Sequence, residues 1–419
     1  MKIKDIFTPG RFPTLTYVDD HLKEKEQQLL DTLDDGSMLV SISGPSKSGK
    51  TVFVEKVIGR DYLIQVTGAG VSEPADLWMR VFDIIGTPVQ RSSTSASGKS
   101  GSVGGKAGAE GGFIVAKAKG EVSASATLSS QNSETEIQSI DLLQLLIREL
   151  ANSEFVIFID DFHYVERSAQ ALIAQQIKEA IRQGVKFICA SVPYHSDDLI
   201  RGNPDLRGRL FSIDFDYWNE DVLKKIAYKG FSEANIIYRN ELVNRLCEEA
   251  AGSPQLMQYL CLNTCYEKGI REKPIDPVDI IYEVGFLESI CRRTVASTDY
   301  SSIAEKMLEG PKTRGSDRKS YISVNGWQGD VYRFLIKAIS LDPPCLTFRY
   351  QPLVDRIISL CVGESPSGSS ITSACHHVAN LANDSANNNI VEWDGDNDVF
   401  DIRDPYLLFY LRWSEIGDS

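Results

Sequence analysis

The sequence predicts an α/β chain: a parallel sheet wrapped by helices first, an all-helical stretch next, and a C-terminal unit of three helices and a two-stranded ribbon. Three observations carry this. Between residues 38 and 215 short apolar runs alternate with helical patterns, the signature of parallel strands joined by crossover helices. After residue 215 the strand runs stop and amphipathic helical spacing takes over to about Arg292. From 331 onward the pattern reads helix, helix, helix, ribbon, short helix.

Taken in order, residues 1–28 form an N-terminal lead-in, broken by Pro9-Gly10 and Pro13, with a helix from near Asp20 to Leu33. The five expected strands are 38–43, 62–67, 155–160, 186–192 and 210–215. Helices start near Gly49, Pro74, Gln138 and Arg167, with a shorter one near Ser196. Residues 29–215 are thus the sheet domain and 216–300 a helical region, in which Asp276-Pro-Val-Asp opens a helix. Residues 301–330 are polar and glycine-rich and read as a linker; 331–419 is the C-terminal unit. Its helices are expected at 331–340, 351–361 and 369–383, its ribbon at 390–394 and 398–402 with a turn at Asp394-Gly395-Asp396-Asn397, and its last helix from Pro405. Three helices with a two-stranded wing is the winged-helix pattern.

Residues 88–136 interrupt the alternation. Arg91 to Gly112 has linker composition, whereas from Ile114 to Leu128 small apolar residues occupy the even positions and mostly Lys and Ser the odd ones. Two readings stand side by side: a flexible insertion, or a β-hairpin over 106–128 that meets copies of itself or a lipid surface.

The chain has 419 residues, a net charge of −14 and 42% hydrophobic residues. That length calls for two or three domains. The acidity argues against a protein that coats nucleic acid non-specifically and leaves room for one local basic contact. No apolar run reaches bilayer-spanning length and the N-terminus has no signal-like segment, so a cytoplasmic location is expected. The eight cysteines form no C-x-x-C pair. Cys261 and Cys265, four apart in a helical pattern, read as small core residues.

The chemistry concentrates in Gly44-Pro45-Ser46-Lys47-Ser48-Gly49-Lys50-Thr51, which fits G-x-x-x-x-G-K-[ST] between a strand and a helix. Its glycines let the backbone turn several N–H groups toward one anion, and the helix N-terminus adds positive potential. Lys50 is placed to reach the β and γ phosphates of ATP and Thr51 to offer its hydroxyl to Mg²⁺. A second signal is Glu154-Phe-Val-Ile-Phe-Ile-Asp160-Asp161, a buried strand delivering carboxylates. Asp160 would join Thr51 at Mg²⁺, and Asp161 would orient the attacking water, with a shorter reach than glutamate and hence slow hydrolysis. Ser191, ending the fourth strand, either senses the γ-phosphate or is an ordinary strand-end serine. Arg207 and Arg209, just before the fifth strand, either complete a neighbouring subunit's phosphate site in a homo-oligomer or are solvated.

With Ala251-Gly252-Ser253-Pro254 in the helical region, these motifs resemble the signal-transduction ATPases with numerous domains (STAND) and the related archaeal-type ATPases of the AAA+ group, over roughly residues 14–300. The resemblance implies a P-loop ATPase core, a helical lid whose Pro254 faces the nucleotide base, and a winged helix behind it. Asp160-Asp161-Phe-His163 is similar to the D-D-x-H of maltose-regulator-type members. It also implies a nucleotide-driven oligomeric switch with a protein partner and a signalling or defence-type output. The upstream arginine of such proteins is missing from Tyr17-Val18-Asp19-Asp20-His21, though Tyr17 and Val18 remain candidates to flank the base. No arginine accompanies Gly252-Ser253-Pro254. Residues 331–419 hold six basic and twelve acidic residues, and the wing turn is acidic, which disfavours DNA reading by this unit. Lys312, Arg314, Arg318 and Lys319 form a basic stretch that is either a solvated linker or a phosphate-contacting loop.

Overall fold

The structure, a computed structural model, describes residues 1–89, 141–191, 208–312, 318–386 and 389–414. The 106–128 hairpin, the short helix near Ser196, Arg207 and Arg314 therefore lie outside the described residues. The chain divides into two compact units: one of Leu22–Gly44 with Lys50–Phe215, the other of Met1–His21, Pro45–Gly49 and Asp216–Ser419.

The first unit is built on five parallel strands, β1 Leu39–Ser43, β2 Leu63–Thr67, β3 Val156–Asp160, β4 Lys186–Ser191 and β5 Leu210–Asp214, in the order β2-β3-β4-β1-β5. All five expected strands are present within a residue of their expected bounds. They were legible because alternate residues enter two different cores, so that apolar side chains stand on both faces, most fully in β3. Ile157, Ile159 and Phe187 join Trp78 and Phe82 on one face. Val156, Phe158 and Ile188 join Phe53 and Leu29 on the other. The first face is covered by α3 Pro74–Ile85, α4 Leu142–Leu150 and α5 Arg167–Arg182, the second by α1 Lys23–Asp35 and α2 Lys50–Ile58. Local signals set the helix ends. Glu73 and Asp76 form a reciprocal capping box around Pro74, Gly86 closes α3 in the left-handed region, and Asp141 caps α4. The strands all run the same way, so Thr67, Asp160, Ser191, Ser43 and Asp214 line one sheet edge, where open α/β sheets bind ligands.

The second unit holds two cores. Four helices, α6 Glu220–Glu233, α7 Asn240–Ala250, α8 Pro254–Glu267 and α9 Phe286–Val295, bury Leu223, Leu246, Met257 and Ile290 together. Cys261 and Cys265 are fully buried there, and burial pushes the Cys265 thiol up to about 12, as suits small core residues. The start of the chain is part of this core rather than a separate lead-in. Ile3, Ile6 and Phe7 are fully buried, and Phe7 meets Phe231 edge-on at 5.4 Å. Gly230 is required in mid-helix, since a Cβ there would fall 2.1 Å from the Phe7 ring.

Two expectations need correction. Asp276-Pro277 opens no helix. A proline disfavours the helical region for the residue before it, and Val278–Asp279 (β7) pairs with Ile236–Ile237 (β6), with the Val278 N–H donated to the Asn235 carbonyl and the Ile280 N–H to that of Ile237. Residues 301–330 are not a plain linker. Ser301–Glu309 forms α10, whose Ala304 and Met307 are fully buried in the C-terminal core, and Tyr321–Ile322 (β8) pairs with Gln328–Gly329 (β9).

The C-terminal elements follow the expected order: α11 Val331–Ile339, β10 Thr347–Arg349, α12 Tyr350–Leu360, α13 Gly368–Ala386, β11 Val391–Asp394, β12 Val399–Ile402 and α14 Pro405–Trp413. The ribbon is antiparallel and gains β10 as a third strand. The acidic wing turn has a structural cause: Asp394 accepts hydrogen bonds from the Asp396 and Asn397 N–H groups and from the Asn397 amide. Among the described residues no helix is long and apolar enough to cross a membrane.

Candidate functional site

In the sheet-bearing unit, the loop starts at Gly44, directly after β1. A Cβ at this position would fall 2.5 Å from the Phe215 Cβ, so only glycine fits. Lys50 opens α2 and is 9% exposed; its Nζ donates to the Gly44 carbonyl at 2.8 Å. Burial pushes the Lys50 ammonium down to about 8, against the pull of Asp160 and Asp161. A cation buried at a helix N-terminus, where backbone N–H groups are already unmatched, is held ready for an anion.

Thr51 and Asp160 come together as expected, the Thr51 hydroxyl donating to Asp160 Oδ2 at 2.7 Å. A hydroxyl and a carboxylate in contact are hard oxygen donors of the kind Mg²⁺ takes, so the residues fit that ion. Burial raises the Asp160 pKa, and the Thr51 hydrogen bond opposes the rise. Asp161 is left-handed at φ +54 and more exposed, with its N–H donated to Asp160 Oδ1 at 3.0 Å. Gly68, directly after β2, makes room for this corner, because a Cβ there would fall 2.6 Å from the Asp161 carbonyl oxygen. Ser191 is buried beside Ser43, and its Oγ has no hydrogen-bond partner among the described residues. Arg209 is exposed, and its carbonyl accepts from Leu39 N–H.

The middle of the loop, Pro45–Gly49, belongs to the helical unit. Lys47 is left-handed at φ +63, and Gly49 has φ +100. The Ser48 Oγ is buried with no partner among the described residues. The Ser48 carbonyl accepts from the Trp218 indole N–H at 2.9 Å. Lys47 points away from the glycines: its Nζ lies 3.4 Å from Asp404 Oδ2, 3.1 Å from the Tyr300 hydroxyl and 4.0 Å from the centre of the Tyr406 ring. Pro254 is buried as the first residue of α8, behind Ser253, whose hydroxyl accepts from Leu256 N–H. Ala251 and Gly252 are both left-handed, which makes the corner that this proline follows. Val18 is buried in the core of the four helices α6–α9, and the Tyr17 carbonyl accepts from Lys229 at 2.6 Å. Ser46 is half-buried.

Reasoning from sequence missed Trp218, Tyr217, Tyr300 and Asp404. The first two come shortly after β5, past Phe215 and Asp216, and their position near a strand end was the only available signal. Tyr300 and Asp404 reach the loop from 253 and 357 residues away in sequence, a separation no local pattern encodes. The basic stretch loses two of its four members to internal partners: Arg318 pairs with Asp330 at 2.7 Å, and Lys319 pairs with Glu364.

No family model and no curated relative matches the chain. Its fold, however, is similar to that of solved structures. A Walker-type ATPase of Pyrococcus abyssi matches with a TM-score of 0.53 at 14% identity, over 93% of this chain and 95% of that one. The ORC2 protein of Aeropyrum pernix, solved as ADPNP and ADP complexes, matches with a TM-score of 0.52 at 12% identity, over 99% and 96%. At such identities the likeness shows the fold alone. The chain has the α/β P-loop ATPase fold.

Proposed function

We propose that this protein is a nucleotide-driven switch of the AAA+/STAND kind that binds ATP with Mg²⁺ and hydrolyses it slowly. The single observation behind this is the contact of Thr51 with Asp160 beside the buried Lys50, which unites the glycine loop and the acid-ending strand at one sheet edge. Loop N–H groups and Lys50 hold the phosphates. Thr51 and Asp160 hold the metal ion, whose chemistry is to neutralise charge that develops on the phosphate oxygens. Asp161 orients the attacking water, and Ser191, whose buried hydroxyl has no partner among the described residues, meets the terminal phosphate or that water. Tyr17, Val18 and Pro254 are proposed for the base, and Pro45, Ser46, Lys47, Ser48 and Gly49 for the loop that frames the phosphates. Arg207 and Arg209 act on a neighbouring copy in a cytoplasmic homo-oligomer. The winged-helix elements pass the state on to a protein partner, giving a signalling output.

Asp161→Asn tests the catalytic part. Its hydrolysis rate should drop on the order of 10²-fold with ATP affinity within a few-fold of wild type. An unchanged rate would remove Asp161 from the catalytic step, and wild-type turnover no higher than background would leave a non-hydrolysing scaffold as the better reading. A DNA-binding ATPase of origin-recognition type is favoured by the end-to-end fold likeness to the Aeropyrum ORC2 protein and opposed by the acidic wing turn. DNA-stimulated turnover would select it; turnover indifferent to DNA would discard it.

A further inference from the structure

A phosphate loop works only if its N–H groups face inward, and each trans peptide then points the adjoining carbonyl outward. Those outward carbonyls need partners. For Ser48 the partner is Trp218. The indole N–H donates to the Ser48 carbonyl at 2.9 Å, and because the peptide is planar this fixes the opposite direction for the Gly49 N–H. Trp218 is itself held from three sides. Its backbone N–H donates to the Gly252 carbonyl at 2.9 Å. Its ring meets His21 edge-on, with centroids 4.4 Å apart. A Cβ on Gly49 would stand 3.8 Å from Trp218 Cζ2 and 4.0 Å from Pro254 Cγ, so the glycine's outer side lies against the indole and the proline. Gly252 is pinned in turn, since a Cβ there would come 2.6 Å from the Tyr217 Cβ, and the Tyr217 hydroxyl donates to the Arg403 carbonyl at 2.6 Å. The indole thus sits at the end of a chain of contacts running from the Gly-Ser-Pro corner and the C-terminal unit to one peptide of the loop.

We propose that Trp218 is a positioning residue for polyphosphate binding: by holding the Ser48 carbonyl outward it aims the Ser48–Gly49 peptide N–H at the phosphates, so that lid contacts set the affinity of the loop. This rests on the nucleotide-binding reading above. The ligand class it acts on is the triphosphate rather than the base.

The test is Trp218→Phe in the full chain, which keeps a ring and removes the N–H donor. Binding of Mg²⁺–ATP and of Mg²⁺ with inorganic triphosphate is measured by calorimetry, alongside the melting midpoint without ligand. Loss of one hydrogen bond predicts about a five- to tenfold weaker affinity for both ligands. Trp218→His, which retains a ring N–H, is expected to lose less than threefold, and it serves as the deciding variant if the phenylalanine form does not fold. Wild-type affinity for inorganic triphosphate in Trp218→Phe, or a loss confined to ATP, overturns the proposal; so does a loss above fivefold in Trp218→His. A wild-type protein that binds neither ligand overturns the nucleotide reading itself, whereas wild-type binding with an indifferent phenylalanine variant overturns only the role of Trp218.

Discussion

Lys50 and Asp160 in the sheet-bearing unit, and Arg412 and Glu249 in the helical unit, are buried charges treated in opposite ways. Around Lys50 burial wins: it pushes the ammonium down to about 8 and the Asp160 carboxyl up, and the neighbouring charges do not restore either. Around Arg412 the partners win. Burial opposes its charge, but Glu249 and Asp342 outweigh that and hold the guanidinium above its ordinary value. Glu249, with a fully buried side chain, accepts from Arg412 Nη2 at 2.7 Å, from Arg412 Nε at 3.1 Å and from the Trp413 indole at 2.7 Å. The remaining Arg412 N–H group donates to the Ser340 and Leu341 carbonyls. Charges that are satisfied internally serve the fold. Charges whose burial outweighs their internal contacts are suited to receive a counter-charge from outside.

The sharpest way to break that comparison is Arg412→Ala. It leaves the buried Glu249 with only Arg245, 3.7 Å away, as a cationic partner among the described residues, which costs up to about 3–5 kcal/mol and should lower the denaturation midpoint strongly. Replacing both members, Arg412→Met with Glu249→Leu, should recover most of the loss, because the desolvation penalty disappears with the charges. Urea unfolding of the three proteins measures this. If the double variant stays as unstable as the single one, the network contributes shape rather than charge compensation.

Lys50→Met should behave in the reverse manner. Triphosphate affinity falls by roughly 10²-fold or more, since a charge-assisted contact is lost from a buried site. Unliganded stability holds or rises by about 1–2 kcal/mol, because a charge no longer has to be buried, which offsets the loss of its contacts, the bond to the Gly44 carbonyl among them. Melting without and with Mg²⁺–ATP separates the two effects. A variant that melts well below wild type without ligand would place Lys50 with Arg412, as a charge the fold needs.

These two regions were not equally legible. The strand carrying Asp160 announces itself because both of its faces are buried, and the glycine loop announces itself because close backbone approach to phosphate excludes other residues. Arg412 and Glu249 are 163 positions apart and sit in ordinary amphipathic helices, so nothing local marks them as partners. Trp218 was invisible for the same reason. α10 was hidden differently: its two fully buried residues, Ala304 and Met307, are too few to outweigh the polar, glycine-rich sequence that follows. Ile3 and Phe7 read as a lead-in because their partners, including Phe231, lie beyond the whole sheet domain in sequence.

Lys47 lies between the two regimes, and its variant has the smallest expected effect. It is a loop residue, but its charge is matched internally by Asp404, with Tyr300 and Tyr406 alongside. Its side chain is 29% exposed, so solvent screens the pair and its worth is that of a partly exposed bridge, about 0.5–1 kcal/mol. Asp404 also caps α14, accepting from Tyr406 N–H at 2.9 Å. Asparagine caps as well as aspartate, so Asp404→Asn removes the charge and spares the helix. The expected fall in melting midpoint is about one to three degrees. Lys47→Met should fall by a similar amount, and the double variant by little more than either single one, because the two share one interaction. Additive losses would mean that Lys47 and Asp404 act separately, and Lys47 would then belong with Lys50 among the charges held for a ligand.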